Sequence, residues 1–152
     1  QSAFILNLGL ESLHVRMARH CENALAVAKA IKNDDRVAYV IYPGLEGDKY
    51  YDLAKKYMPN GTTGVVSFGL KGGRKAAEGF MKGLKIAAIE THVADARTCC
   101  LHPASSTHRQ MTDEELAAAG VPADLVRFSC GLESADDLIN DIKQALDGAE
   151  GR

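Results

Sequence analysis

The sequence predicts a two-layer α/β domain, with about four strands backed by helices on one face. Three observations lead there. Short β-type runs alternate with stretches of helical period, with no repeat or low-complexity segment among them. Proline, glycine and short polar residues close these runs, so the elements have readable ends. And 152 residues, 46% of them apolar, suffice to bury one core without disulfide or metal staples. The order of the strands does not follow from any of these.

Residues 1–31 read as one long N-terminal helix, regular from about Phe4 to Ile31. Leu10, Leu13, Met17, Ala24, Ala28 and Ile31 recur at three and four, apart from one longer gap near Cys21. Asn33-Asp34-Asp35 ends it, because short polar side chains compete with the helical backbone. The body of the domain spans 36–147. Arg36 to Tyr42 is a strand closed by Pro43-Gly44, and Asp48 to Met58 a shorter helix with Tyr51, Leu53 and Ala54 facing inward. Gly64 to Leu70 reads as a buried strand. Gly72-Gly73 then opens a helix to Gly83, with Ala76, Ala77, Phe80 and Met81 inside.

Leu84 to Ile89 is a further short apolar run of strand type. Thr98 to Leu101 is a strand that stops at His102-Pro103, since proline has no N–H for a ladder. Thr112 with Glu115 fits a capping box, and Gly120 and Pro122 end the helix it starts. Leu125 to Ser129 is the last strand. The final helix turns Leu138, Ile139, Ile142, Ala145 and Leu146 inward, and residues 148–152 should fray.

Composition excludes several function classes. A net charge of -2 gives no basis for binding nucleic acid or a membrane surface. No apolar run approaches the ~20 residues of a spanning helix, and there is no signal segment. Of the cysteines, Cys99 and Cys100 are adjacent, which suits neither a CxxC ligand pair nor an easy disulfide. Cys21, Cys99, Cys100 and Cys130 therefore read as reduced core thiols, which fits a cytoplasmic protein. The chain begins at Gln1 without a methionine and reads as a piece of something longer.

Two stretches offer chemistry. In His92 to His108 a β-type run ends in small polar residues, Ala104, Ser105, Ser106, Thr107 and His108, where a strand end would open onto a cleft. In Leu125 to Gly131 a single cation, Arg127, interrupts an apolar strand. A lone guanidinium inside a fold needs an anion, because burying an unpaired charge is costly. That anion is either one of the 20 acidic residues or a ligand. No metal site is expected: the spacing of His102 and His108 near Cys99-Cys100 matches no standard zinc pattern. Gly72-Gly73-Arg74-Lys75 lacks the phosphate-loop signature. Ser105-Ser106 with His108 and Asp113 lacks a nucleophile elbow.

HPASSTH, followed by MTDEELAAAG, LVRFSCGLE and DDLINDIKQAL, resembles the C-terminal domain of the Cys/Met-metabolism family of pyridoxal-phosphate enzymes. LGLESLHVRMARHCENALAVA and VAYVIYPGL resemble the helix entering that domain and its first strand, so the likeness covers nearly the whole chain. HVADARTCCLHPASSTH looks closest to the O-acetylhomoserine sulfhydrylase branch. The resemblance implies a mostly antiparallel sheet and makes residues 1–152 a single C-terminal domain without the family's large domain. It implies that Arg127 forks onto the substrate's α-carboxylate, with Thr107 lining the cleft. His92 and Val93 stand beside the same carboxylate, where many members have a Ser-Leu-Gly or Asn-Leu-Gly motif; here the motif is His92-Val93-Ala94, a departure.

Pyridoxal phosphate, with its Schiff-base lysine, belongs by the same resemblance to the large domain upstream. None is expected on this chain, no residue of it is catalytic, and alone it should be inactive. The partners implied are the amino-acid substrate, the missing N-terminal domain and sister subunits in a homotetramer. The reaction implied is γ-replacement, O-acetylhomoserine plus sulfide or a thiol giving homocysteine or methionine plus acetate. Two alternatives stand beside it. One is another branch, a cystathionine γ-synthase, a γ-lyase or a methionine γ-lyase; the other is a free-standing, non-catalytic domain that binds amino acids or a protein.

Overall fold

Helices cover one face of a five-stranded sheet and leave the other face open. A computed structural model describes the backbone of residues 1–150. In chain order the elements are α1 (Ser2–Glu11), α2 (Leu13–Ile31), β1 (Val37–Ile41), α3 (Tyr51–Tyr57), β2 (Val65–Leu70), α4 (Gly73–Gly83) and β3 (Ala88–Ile89). There follow β4 (Cys99–Leu101), a 3₁₀ turn (Pro103–Ser105), α5 (Asp113–Ala118), β5 (Leu125–Ser129) and α6 (Ala135–Glu150). Of the stretch expected to fray, 148–150 are still helical, and 151–152 lie outside the described residues.

The strand order is β1-β2-β5-β4-β3. Three of the pairings are antiparallel and the last, β3 with β4, is parallel. The sheet is thus mostly antiparallel, as the resemblance implies, with one strand more than expected. Of the run read as strand type from Leu84 to Ile89 only the two-residue β3 pairs, where Ala88 donates to the Thr98 carbonyl at 2.9 Å and Glu90 to that of Cys100 at 3.2 Å.

Strand alternation decides which face is covered. Val66, Phe68, Leu70, Cys100, Val126 and Phe128 are buried in one core with Val27 and Ile31 of α2, Phe80 of α4, and Leu138 and Ile142 of α6. The Phe68 and Phe80 rings meet edge to face, centroids 5.6 Å apart. Helices α4 and α6 touch through small residues. A Cβ on Gly83 would stand 2.9 Å from Ala145 Cα, so a side chain there would push the helices apart. Opposite, the register aligns Ser67, Arg127 and Leu101 in one row, and Val65, Ser129 and Cys99 in the next. The face that carries Arg127 is the one the helices do not cover.

Two stretches depart from the expected elements. The single helix over residues 1–31 is two helices, broken at Ser12 (φ −106°, ψ 5°). Glycine at position 9 and serine at 12 are both weak helix formers, and Arg16 takes up the Gly9 carbonyl through Nη1 and Nη2, each at 3.1 Å. Helix α1 buries nothing, and burial in α2 begins only at His20, so Leu10 and Leu13 face solvent. Helix α3 buries only Ala54, leaving Leu53 exposed. The capping box of α5 forms as expected: Glu115 N–H donates to Thr112 Oγ1 at 3.3 Å and Thr112 N–H to Glu115 Oε2 at 2.8 Å. All four cysteines are free; Cys99, Cys100 and Cys130 are buried and Cys21 is half-buried. Burial pushes the Cys130 thiol up to about 12 and raises that of Cys100 further.

Candidate functional site

Arg127 is the middle residue of β5, flanked by Ser67 of β2 and Leu101 of β4. Its backbone is fixed by ladders on both sides, so the guanidinium leaves a rigid base. Nη2 donates to the Thr91 carbonyl at 2.7 Å. Nε is buried and has no partner among the described residues. Among the described residues no carboxylate lies within ion-pair distance of it, although the chain has 20 acidic residues. A buried, unsatisfied donor on a cation costs about 1–3 kcal/mol or more, a cost that an incoming anion would remove. Carboxylate suits the group best, since its two oxygens match the guanidinium fork.

The backbone opposite is the loop from Glu90 to Arg97, held at both ends. At its start, Asp141 of α6 is buried and accepts from the backbone N–H groups of Lys85, Ile86 and Ala87 at 2.8, 3.0 and 3.0 Å. This fixes the lead into β3 and hence Thr91. At its end, Glu133 accepts from Thr98 N–H at 2.8 Å and from the Thr98 hydroxyl at 2.7 Å, while Thr98 Oγ1 accepts from Gly131 N–H at 2.8 Å. Helix α2 secures Glu133 in turn, because Asn23 Nδ2 donates to the Gly131 and Glu133 carbonyls, each at 2.9 Å. Position 131 admits only glycine. A Cβ there would lie 2.4 Å from Thr98 N and 2.5 Å from Ala96 O.

The expected site residues divide into two groups. His92 and Val93 sit on this loop beside Thr91, both exposed, and neither side chain bonds Arg127. The His92 ring instead lies between carboxylates, Nδ1 at 3.1 Å from Glu90 Oε2 and 3.3 Å from Asp95 Oδ2. The Arg97 backbone N–H, donating to Asp95 Oδ1 at 3.0 Å, together with the nearby His92 ring and the Arg97 charge, holds the Asp95 carboxyl below its ordinary range. The backbone is what reaches the site. Ala94 adopts φ 57° and donates its N–H to Ser129 Oγ at 3.2 Å, two residues beyond Arg127 on the same face. Thr107 is apart: exposed, beyond the 3₁₀ turn, with its hydroxyl 2.9 Å from His108 Nδ1. Among the described residues nothing bonds it to Arg127.

His102 is a structural residue. It is buried, with Nε2 2.8 Å from the Ala123 carbonyl and Nδ1 2.8 Å from Ser105 Oγ. Sequence reasoning passed over Ser129, Thr91 and Glu133. For Ser129 a signal existed, since alternation from Arg127 puts it on the same face. The Thr91 carbonyl had none, because a backbone group leaves no mark on composition.

This arrangement of strands and loop is found in known proteins. The model of the Cys/Met metabolism PLP-dependent enzymes matches residues 1–147. The chain belongs to that family. Within it, the chain is 47% identical over 146 residues to a homocysteine synthase of Schizosaccharomyces pombe, covering 96% of this chain and 34% of that protein. It is 44% identical over 144 residues to O-acetyl-L-homoserine sulfhydrylase 1 of Thermus thermophilus, covering 95% and 34%. An L-methionine gamma-lyase of Treponema denticola is 41% identical over 145 residues, covering 95% and 36%. Among solved structures, an O-acetylhomoserine (thiol)-lyase of Campylobacter jejuni superposes with a TM-score of 0.88 at 37% identity, covering 95% of this chain and 34% of that one. It carries an N'-pyridoxyl-lysine-5'-monophosphate, at a position outside the part this chain matches. The chain spans about a third of the length of the curated relatives it matches.

Proposed function

We propose that this chain is the substrate-carboxylate-binding domain of an O-acetylhomoserine sulfhydrylase-like enzyme, with the cofactor held by residues outside these 152. The observation that carries the reading is Arg127: a cation on a rigid strand, with a buried Nε that no group among the described residues satisfies. Its donors fit an α-carboxylate. Among the described residues no lysine is bonded to this site, so it offers no amine to form a Schiff base with pyridoxal phosphate. When bound, pyridoxal phosphate supplies the electron sink for chemistry at the amino acid's carbons.

The work of this domain is orientation. Arg127 takes the carboxylate through parallel N–H donors and so fixes the rotation of the amino acid about its Cα. The loop from Glu90 to Arg97, clamped by Asp141 and Glu133, walls that position. His92 and Val93 border it, and Thr107 stands apart, beyond the 3₁₀ turn. Because the same contact serves any α-amino acid, it does not choose the reaction.

A second reading within the family follows from the relatives, since methionine gamma-lyases are 41% and 39% identical to the chain. Product analysis on the intact enzyme separates the two. O-acetylhomoserine with sulfide should yield homocysteine and acetate in equal amounts. Release of a thiol from methionine at a comparable kcat/KM would favour the lyase reading. Turnover of neither would remove both.

A further inference from the structure

The loop that carries the Thr91 carbonyl also gathers three ligand groups of different chemistry. Glu90 follows β3, His92 lies in the loop, and Cys99 opens β4. One carboxylate oxygen, one ring nitrogen and the thiol sulfur lie within 4.8 Å of one another. We propose that Glu90, His92 and Cys99 form a site for one divalent cation of the zinc class, with water as the fourth ligand.

The geometry fits a tetrahedral ion. Zn–N and Zn–O bonds of about 2.0–2.1 Å and a Zn–S bond of about 2.3 Å set ligand-to-ligand edges of roughly 3.3 Å and 3.6 Å. Glu90 Oε2 stands 3.1 Å from His92 Nδ1 and 4.0 Å from Cys99 Sγ. The remaining edge, within 4.8 Å, closes by a small rotation of the His92 ring, which is exposed. Glu90 is already arranged to bind through one oxygen, because its other oxygen, Oε1, accepts from Arg97 Nη2 at 3.0 Å. Holding a ligand by its outer atom is how second-neighbour groups orient metal sites.

Charge favours a dication. Glu90, Asp95 and a Cys99 thiolate would set three negative charges against the one positive charge of Arg97. On binding, the S–H bond breaks, its proton leaves to water, and sulfur bonds the metal, so uptake releases a proton and strengthens with pH. A mixed sulfur, nitrogen and oxygen set selects zinc, cobalt or copper over magnesium and calcium. The spacing of His102 and His108 near Cys99-Cys100 matches no standard zinc pattern. The fold brings Cys99 to His92 instead.

Titration of the 152-residue chain with Co²⁺ tests this. The expected result is a thiolate-to-cobalt charge-transfer band in the near ultraviolet that saturates at one ion per chain and is displaced by Zn²⁺. Cys99→Ser should abolish the band and His92→Ala should weaken binding about 100-fold, while Cys21→Ser should leave both unchanged. His92 is exposed, so its variant reports even if Cys99→Ser unfolds the core. No charge-transfer band, a band insensitive to His92→Ala, or one lost in Cys21→Ser would overturn the proposal.

Discussion

Asp141→Ala should destabilise the domain, because it removes a buried contact between α6 and the lead into β3. Asp141 is buried in α6 and holds three backbone N–H groups at 2.8–3.0 Å, with Gln144 Nε2 at 3.0 Å from its Oδ1. Truncation leaves all three donors without their acceptor. Lys85 and Ile86 are exposed residues whose N–H groups can turn to water, whereas Ala87 is buried and its N–H cannot. One stranded donor costs about 1–3 kcal/mol, and two lost charge-assisted bonds that water partly replaces add about 1 kcal/mol. The sum is roughly 2–4 kcal/mol, or a Tm lower by roughly 5–15 °C at this chain length. Urea unfolding of Asp141→Ala beside Asp137→Ala, an exposed residue of the same helix, measures it. Amide exchange at Lys85, Ile86 and Ala87 should quicken in the first variant alone. A loss under about 0.5 kcal/mol, or equal losses in both, would refute the claim that this carboxylate anchors the loop leading to Thr91.

Three further outcomes follow from other parts of the molecule. Arg36 holds Asp34 near a pKa of about 2, below its ordinary 3.8, so the pair's contribution is full above the ordinary value and is lost as pH falls through 2. Acid titration of stability should show up to about 2 kcal/mol lost there, and Asp34→Asn should flatten that limb. Ala94 holds φ 57°, where a side chain is strained, so Ala94→Gly should raise stability by about 0.5–1 kcal/mol in thermal unfolding; a loss would show that the Ser129 bond depends on the alanine. Phe4, Ile5 and Leu8 of α1 are 69%, 59% and 56% exposed, so the isolated chain should self-associate, and Phe4→Ser with Leu8→Ser should return it to monomer in sedimentation; an unmodified chain that stays monomeric at high concentration would contradict this.

Much of the architecture was legible because its signals are local. Alternation marked β2 and β5, the apolar stripe marked α6, and Thr112 with Glu115 marked the start of α5. The break at Ser12 was not legible, since the apolar spacing runs through it and only Arg16 reaching back to the Gly9 carbonyl reveals it. Of the run from Leu84 to Ile89, read as strand type, only the two residues of β3 pair. Two residues carry no period, and the strand's existence depends on pairing with β4. At the candidate site, Arg127 stood out as a lone cation in an apolar strand. Its acceptor is a carbonyl 36 positions away, and the clamp by Glu133 and Asn23 joins elements far apart in sequence. Tertiary structure alone brings those groups together. The likeness to known sequences placed His92, Val93 and Thr107 together, whereas in the fold only the first two share the loop facing Arg127.

The central claim is that Arg127 is present for a ligand and not for the fold. Arg127→Lys keeps the charge and removes the fork, and the measurement is kcat/KM of the intact enzyme with its amino-acid substrate, beside Tm. The account predicts a fall of roughly 2–4 kcal/mol in transition-state stabilisation, about 30- to 1000-fold, with Tm within about 2 °C of the parent. Kinetics within about twofold of the parent, with a clearly lowered Tm, would make Arg127 a structural residue and contradict the site.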